Sequence, residues 1–165
     1  MIKYIVAIII ILQLNSFALA HLCLFDPPQR EPNWGVPIQP GDNACYRVSS
    51  NCGNTTTGAP VKSYSPESTI QVFFQQNYNH WYKPNPGYLD VSLSYDGDNG
   101  DYIVLSPTID DFNAWDMVTQ TNYSVSVTLP TQTCKSCVLR VRYISNNAGE
   151  PEPDFYQCSD IAIQE

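Results

Sequence analysis

The sequence is short of basic residues and of histidine. Eight Lys and Arg residues stand against 16 Asp and Glu residues, which gives a formal net charge of −8. A chain this acidic has little positive charge with which to neutralise phosphate groups, so we expect neither nucleic acid nor an anionic membrane surface as a partner. Uncharged polymers carry no such penalty. Because the chain has only two histidines, His21 and His80, any site that uses imidazole must be built from this pair.

Long apolar runs are also lacking beyond residue 20. Before it, a basic residue precedes the apolar run Tyr4–Leu12, and Ala18-Leu19-Ala20 has the small-residue pattern of a cleavage site. The run is too short for a stable membrane span. We therefore predict that residues 1–20 are a signal peptide. The remaining residues, 21–165, would form a single secreted, extracellular domain that acts as a monomer.

Two further features fit a secreted chain. The six cysteines all lie beyond residue 20, and an even number favours disulfides, although the sequence leaves their pairing open. The cysteines are Cys23, Cys45, Cys52, Cys134, Cys137 and Cys158. The second feature is a pair of N-glycosylation sequons, which begin at Asn54 and Asn122.

Thirteen prolines and eight glycines divide the chain into short pieces. Most of these pieces alternate apolar and polar residues, and period-two alternation with one polar face is typical of antiparallel sheets. The predicted strands are Leu22–Phe25, Thr69–Gln75, Tyr88–Tyr95, Tyr102–Leu105, Tyr123–Leu129, Cys137–Ile144 and Phe155–Ile163. Short strands separated by turn signals predict an all-β fold, a disulfide-bonded antiparallel β-sandwich of the immunoglobulin-like or fibronectin-like kind with long loops.

Two segments between these strands are interpreted separately. Thr108–Met117 predicts one short helix, with Thr108 as the N-cap and Asp111 at the capping-box position. The acidic segment Asp96–Asp101 suggests a calcium loop, but Pro107 stands where such a loop needs its glutamate. We therefore predict a turn between strands at that segment.

The candidate chemistry depends on the position of His21. Once residues 1–20 are removed, a terminal histidine offers two nitrogen donors, its free α-amine and an imidazole nitrogen. A second imidazole, from His80, would add a third. Tetragonal nitrogen ligation suits Cu(II), and copper binding to such a set should release protons and weaken in acid. The residues alone leave open that His80 is an ordinary polar loop residue.

The segment His21–Arg30 (HLCLFDPPQR) is a histidine followed by an apolar strand and a P-P-x-R turn. This start resembles that of the lytic polysaccharide monooxygenases and the related chitin-binding type-4 superfamily, which are histidine-brace copper proteins. The segment from Cys45 to Cys52 is similar to the short N-terminal disulfide loop of bacterial chitin-active members. Asp154–Ile161 resembles the last strand of bacterial and animal members, and Cys137–Ile144 the penultimate strand of the animal type.

The resemblance implies a function and a set of site residues. One copper ion would be held by His21 and His80, and Phe155 would be the third catalytic residue, an aromatic that ligates nothing and blocks one axial side. The implied activity is oxidative cleavage of chitin or a cellulose-like polysaccharide with an external electron donor. Two alternatives stay open: the same brace could serve copper capture or signalling, or the domain could be a carbohydrate-binding module.

Trp34, Trp81 and Tyr82 are the candidate substrate-binding residues. Sugar rings stack on aromatic side chains and bury apolar area while their hydroxyl groups stay hydrated. Trp81 and Tyr82 directly follow His80 in the sequence, so they are the best-placed pair. Packing in the core is the alternative, because Trp is usually largely buried.

Overall fold

A computed structural model describes residues 21–30, 39–111 and 116–165. These residues form nine β-strands and two short 3-10 helices, Asn43–Cys45 and Cys52–Asn54. The strands are β1 (His21–Asp26), β2 (Lys62–Tyr64), β3 (Thr69–Tyr78), β4 (Tyr88–Ser94), β5 (Ile103–Val104), β6 (Ile109–Asp110), β7 (Thr121–Thr128), β8 (Cys134–Ile144) and β9 (Asp154–Ile163). In this part of the chain, no helix is long and apolar enough to cross a membrane.

The strands form two sheets. One has the order β1-β3-β7, and the other has the order β2-β9-β8-β4-β5, with β6 also paired to β4. The pairing of β2 with β9 is parallel, whereas the other pairs are antiparallel. The predicted β-sandwich is thus confirmed, and all seven predicted strands are present. The strands β2 and β6 are additional.

The predicted helix at Thr108–Met117 is wrong where the structure describes it. Ile109 and Asp110 form β6 instead, and they pair with Leu89 and Tyr88 of β4. Pairing with a neighbouring strand satisfies the backbone there, so the local capping signal has no helix to start. Residues 112–115 of the predicted helix lie outside the described residues.

The hydrophobic core joins the inner faces of the two sheets. Alternate residues of each strand point into it, such as Ile70, Val72 and Phe74 of β3 and Leu89, Val91 and Leu93 of β4. Burial of one such side chain contributes about 1.5–3 kcal/mol relative to leaving it exposed. The core therefore fixes the register of the strands, since a shift by one residue would turn each apolar face towards solvent.

The chain has three disulfides. Cys23–Cys45 and Cys52–Cys158 each tie a 3-10 helix to a strand, and Cys134–Cys137 lies within β8. The short loop closed by Cys45 and Cys52, which the family resemblance implied, is not formed. The reason is the alternation along β1, where Leu22 and Leu24 enter the core and Cys23 faces the other side. There Cys23 packs with Cys45 of the first 3-10 helix, and Cys52 of the second is left to pair with β9.

The strand ends bring distant parts of the chain to one end of the sandwich. His21, the first residue of β1, pairs with Tyr78, the last residue of β3. His80 follows two residues after β3 ends. Phe155, near the start of β9, pairs with Tyr143 of β8. The three residues that the sequence singled out for catalysis are therefore carried to the same end by three different strands.

Candidate functional site

The two histidines belong to a closed circle of five aromatic rings. Going round it, the distances between ring centroids are 5.5 Å from His21 to Tyr46, 6.3 Å from Tyr46 to Phe155 and 5.9 Å from Phe155 to His80. The circle closes through Tyr78, whose ring lies 5.5 Å from that of His80 and 6.1 Å from that of His21. The two imidazoles thus flank the same tyrosine ring, and Phe155 adjoins one of them.

Both imidazoles are enclosed by protein in the chain with residues 1–20 attached. His21 is 2% exposed and His80 is 1% exposed. Phe155, which is 1% exposed, also packs against the ring of Tyr143 at 5.8 Å. Packing against these neighbouring rings holds the two buried imidazoles in place.

Hydrogen bonds to its backbone hold the segment around His80 in place. The backbone N–H of His80 donates to the hydroxyl oxygen of Tyr143 at 3.1 Å, and Asn147 donates to the carbonyl oxygen of His80 at 3.3 Å. The neighbouring Asn79 is tied as well, because its backbone N–H donates to the carbonyl of Met117 at 2.9 Å and its side chain accepts from the backbone of Trp81 at 2.6 Å.

A buried carboxylate anchors this network. Asp111, which is 0% exposed, accepts hydrogen bonds from Tyr143 at 2.6 Å, from Gln76 at 2.8 Å and from Asn79 at 3.4 Å. Burial raises the pKa of Asp111, and the three donated hydrogen bonds oppose that rise. Burial and the adjacent carboxylate also raise the pKa of Tyr143, so its hydroxyl keeps its proton and continues to donate.

The loop between β8 and β9 places one carboxylate on each side of the circle of rings. Oε1 of Glu150 lies 3.0 Å from Nδ1 of His80, and the Glu150 side chain is 16% exposed. Glu152 accepts a hydrogen bond from the hydroxyl of Tyr46 at 3.3 Å. Burial, followed by the charge of Glu152, raises the pKa of Tyr46. A single loop therefore contacts the surroundings of both histidines.

The predicted substrate-binding residues differ in what the structure says of them. Trp81 and Tyr82 are half-buried and directly follow His80. Trp34 lies outside the described residues. Of the sequon residues, Asn54 is exposed at the end of the second 3-10 helix, and Asn122 is exposed on β7, where it accepts a hydrogen bond from Gln75 at 2.9 Å.

A second polar cluster, the Arg30 cluster, consists of Arg30, Asp98 and Asp160. Nε and Nη2 of Arg30 donate to Asp160 at 2.9 and 2.6 Å, and Nη1 and Nη2 donate to Asp98 at 2.8 and 2.7 Å. Burial lowers the pKa of Arg30, but the hydrogen bonds and charges of the two aspartates outweigh it and raise the pKa. The arginine of the P-P-x-R turn is therefore saturated by carboxylates and ties β1 to β9.

The donor set at the two histidines fits copper. Two imidazoles would supply two nitrogen ligands, and the α-amine of an N-terminal His21 would supply the third, a set that suits Cu(II). Because Glu150 lies 3.0 Å from Nδ1 of His80, Nε2 of that ring would be the nitrogen available to a metal, an arrangement common among metal-ligating histidines. Among the residues that the structure describes, no three His, Cys, Asp or Glu side chains come together in a way that would hold a metal ion.

Comparison with known protein families shows which family the chain belongs to. A family model described as "Lytic polysaccharide mono-oxygenase, cellulose-degrading" matches residues 29–161. The chain belongs to this family of lytic polysaccharide monooxygenases. Members of the family are copper-dependent polysaccharide monooxygenases and are generally secreted. The matched residues include His80 and Phe155 but begin after His21.

A solved structure of a lytic polysaccharide monooxygenase agrees with this fold. The chain is similar to an AA10 lytic polysaccharide monooxygenase from Streptomyces lividans, with a TM-score of 0.50 and 15% identity over 87% of this chain and 100% of that chain. A superoxide reductase (neelaredoxin) from Ignicoccus hospitalis gives a TM-score of 0.40 and 13% identity over 66% of this chain and 78% of that one. At 15% identity the likeness to the Streptomyces lividans protein concerns the fold alone. Curated protein sequences give no match.

Several residues of the site escaped the sequence reasoning. Tyr78 carried a usable signal, because it stands two residues before His80 and so shares its side of an extended chain. Tyr46 adjoins Cys45, whose pairing the sequence left open. Asp111 was read as part of a helix start, and Glu150 had no distinguishing pattern around it. These residues reach the site only through tertiary contacts.

Proposed function

We propose that the chain is secreted after removal of residues 1–20 and that residues 21–165 form a single copper-binding domain. In this proposal the mature protein cleaves chitin or a cellulose-like polysaccharide by oxidation, with an external electron donor. The observation that carries it is the placement of His21, His80 and Phe155 in one circle of rings in a member of the monooxygenase family. Copper bound there would supply one-electron redox chemistry towards oxygen or peroxide.

The residues of the chain have distinct tasks in this proposal. His21 and His80 provide nitrogen donors, and packing against Tyr78 holds their rings in place. Phe155 offers no ligand, so its ring excludes water and other ligands from the side of His80 that it covers. Tyr143 holds the backbone of His80 through the hydrogen bond from the His80 N–H.

An uncharged polysaccharide agrees with the charge of the protein and with the side chains beside His80. The net charge of −8 disfavours polyanions. Trp81 and Tyr82 are half-buried next to His80, so each presents part of its surface to a sugar ring. The family description names cellulose degradation, while the terminal motifs resemble chitin-active members, so both polymers are candidates. The exposed Asn54 and Asn122 are proposed N-glycosylation sites of the secreted protein.

The test is a product assay with the mature protein that begins at His21. The protein is loaded with Cu(II) and incubated with ascorbate and either chitin or cellulose, and soluble products are analysed by mass spectrometry. Oxidised oligosaccharides from one polymer are expected, and they should be absent with metal-free protein and with the His80→Ala variant. Tight copper binding without products would indicate copper capture or signalling. Polysaccharide binding that survives removal of copper, again without products, would indicate a carbohydrate-binding module.

A further inference from the structure

We propose that Glu150 is a positioning residue that fixes which nitrogen of His80 faces the metal. This inference rests on the copper site proposed above and adds a residue that acts on the site through His80. It starts from the 3.0 Å contact between Oε1 of Glu150 and Nδ1 of His80. A neutral imidazole carries one proton on one of its two nitrogens, and the partner of one nitrogen decides the role of the other.

The carboxylate holds the proton of His80 on Nδ1. A carboxylate accepts and does not donate, so at this distance it favours an N–H on the nitrogen that it faces. The lone pair then lies on Nε2, which becomes the metal donor. Ligating histidines commonly donate their other N–H to a carboxylate, which orients the ring and makes the ligating nitrogen more basic.

The neighbouring contacts strengthen this placement. Asn147, three residues before Glu150, donates to the carbonyl oxygen of His80 at 3.3 Å. The backbone N–H of Glu150 in turn donates to the carbonyl of Asn147 at 3.0 Å. One turn of the β8–β9 loop therefore contacts His80 at both its main chain and its ring, and this turn holds the carboxylate in register with the imidazole.

The same loop provides a matched control. Glu152 lies two residues further on and is exposed, and it contacts the hydroxyl of Tyr46 rather than an imidazole nitrogen. Replacing either glutamate by glutamine removes the same charge from the same loop. An effect of charge alone on copper binding would therefore appear in both variants, whereas an effect through Nδ1 of His80 would appear only in Glu150→Gln.

The first experiment compares copper binding by the mature wild-type protein, Glu150→Gln and Glu152→Gln at one pH. Circular dichroism first establishes that each variant is folded. Cu(II) affinity is measured by competition with a chelator, and the Cu(II) environment by electron paramagnetic resonance. We expect Glu150→Gln to bind copper about 10–100-fold more weakly with altered hyperfine values. Glu152→Gln should match the wild type within about twofold, far below the loss expected for a residue that orients a ligand.

Equal affinities and spectra for the two variants would overturn the role of Glu150 while leaving the copper site intact. A wild-type protein that does not bind copper would instead overturn the proposed function. The second experiment needs no variant: ¹⁵N NMR of the metal-free wild-type protein reports which ring nitrogen of His80 carries the proton. We expect the proton on Nδ1, and a proton on Nε2 would contradict the inference.

Discussion

The segment His21–Arg30 and strand β9 both contribute to two sites, the circle of rings around the histidines and the Arg30 cluster, and the two sites differ in composition. At one end the rings of His21, Phe155 and His80 belong to one circle of aromatic rings. Further along, Arg30 follows β1 and meets Asp160 of β9, where every nitrogen of the guanidinium group donates to a carboxylate. In the Arg30 cluster one guanidinium is fully engaged by two carboxylates, whereas the histidine end brings together nitrogen groups that would suit a metal.

The comparison indicates that one part of the sandwich mainly stabilises the fold and another mainly places the proposed metal ligands. The Arg30 cluster joins the turn after β1 to β9 and to the loop of Asp98, and each nitrogen of its guanidinium group donates to a carboxylate. The histidine end is held by ring packing and by the hydrogen bonds to the backbone of His80. Variants at the two ends should therefore affect different properties.

The largest effect is expected from Arg30→Ala. This change leaves two carboxylates, one of them on the 3% exposed Asp160, without their counter-charge. Loss of one partner from a buried ion pair costs about 3–5 kcal/mol. Denaturant unfolding followed by circular dichroism should show this loss, whereas copper affinity should stay unchanged.

A matched control for Arg30→Ala is Lys62→Ala. Lys62 pairs with Asp26, and the two side chains are 40% and 48% exposed. An exposed pair contributes less than about 1 kcal/mol, because water and salt screen it. Equal destabilisation by the two variants would contradict the structural role assigned to the Arg30 cluster.

The second-largest effect is expected on copper affinity rather than on stability. His80→Ala removes a proposed ligand, so copper affinity should fall by about 100-fold or more, the upper end of what loss of a residue that merely orients a ligand costs. A chelator competition assay on the mature protein measures this. If the affinity of His80→Ala equalled that of the wild type, the metal would not be bound between the two imidazoles.

The third and smallest effect concerns Asp111→Asn, which should lower the free energy of unfolding by about 1–3 kcal/mol. Burial raises the pKa of Asp111 in the folded state above the usual 3.8. Folding therefore favours the protonated form, and the stability that Asp111 contributes is fully present below its unfolded pKa and is lost as the pH rises through the folded pKa. The free energy of unfolding of the wild type should exceed that of Asp111→Asn by less as the pH rises through this range, as measured by denaturant unfolding of the metal-free proteins. A difference that grows with pH would contradict this assignment.

The sequence predicted most of the fold because burial imposes a period of two on strands that cover one core. All seven predicted strands are present, and four of them alternate clearly in the sequence: Thr69–Gln75, Tyr88–Tyr95, Tyr123–Leu129 and Cys137–Ile144. The two that escaped prediction, Lys62–Tyr64 and Ile109–Asp110, are too short to show a period. Disulfide pairing escaped as well, since it depends on which loop lies over the outward face of β1 and β9.

The sequence pointed to the two histidines of the candidate site, but not to most of the residues that contact them. The chain has only two histidines, so any imidazole site must use both of them, and the family resemblance added Phe155 and the copper to this prediction. The partners of His80 could not be found in this way. Glu150 is one of 16 acidic residues, and only the course of the β8–β9 loop distinguishes it from Glu152.

The account depends most on the α-amine of His21, and copper titration of two versions of the domain tests it directly. One version begins at His21, and the other carries a single additional alanine before it, so that only the amine is moved away from the imidazole. We predict a loss of about 100-fold or more in Cu(II) affinity for the extended version, because one of three nitrogen ligands is removed. Equal affinities for the two versions would contradict the proposed brace.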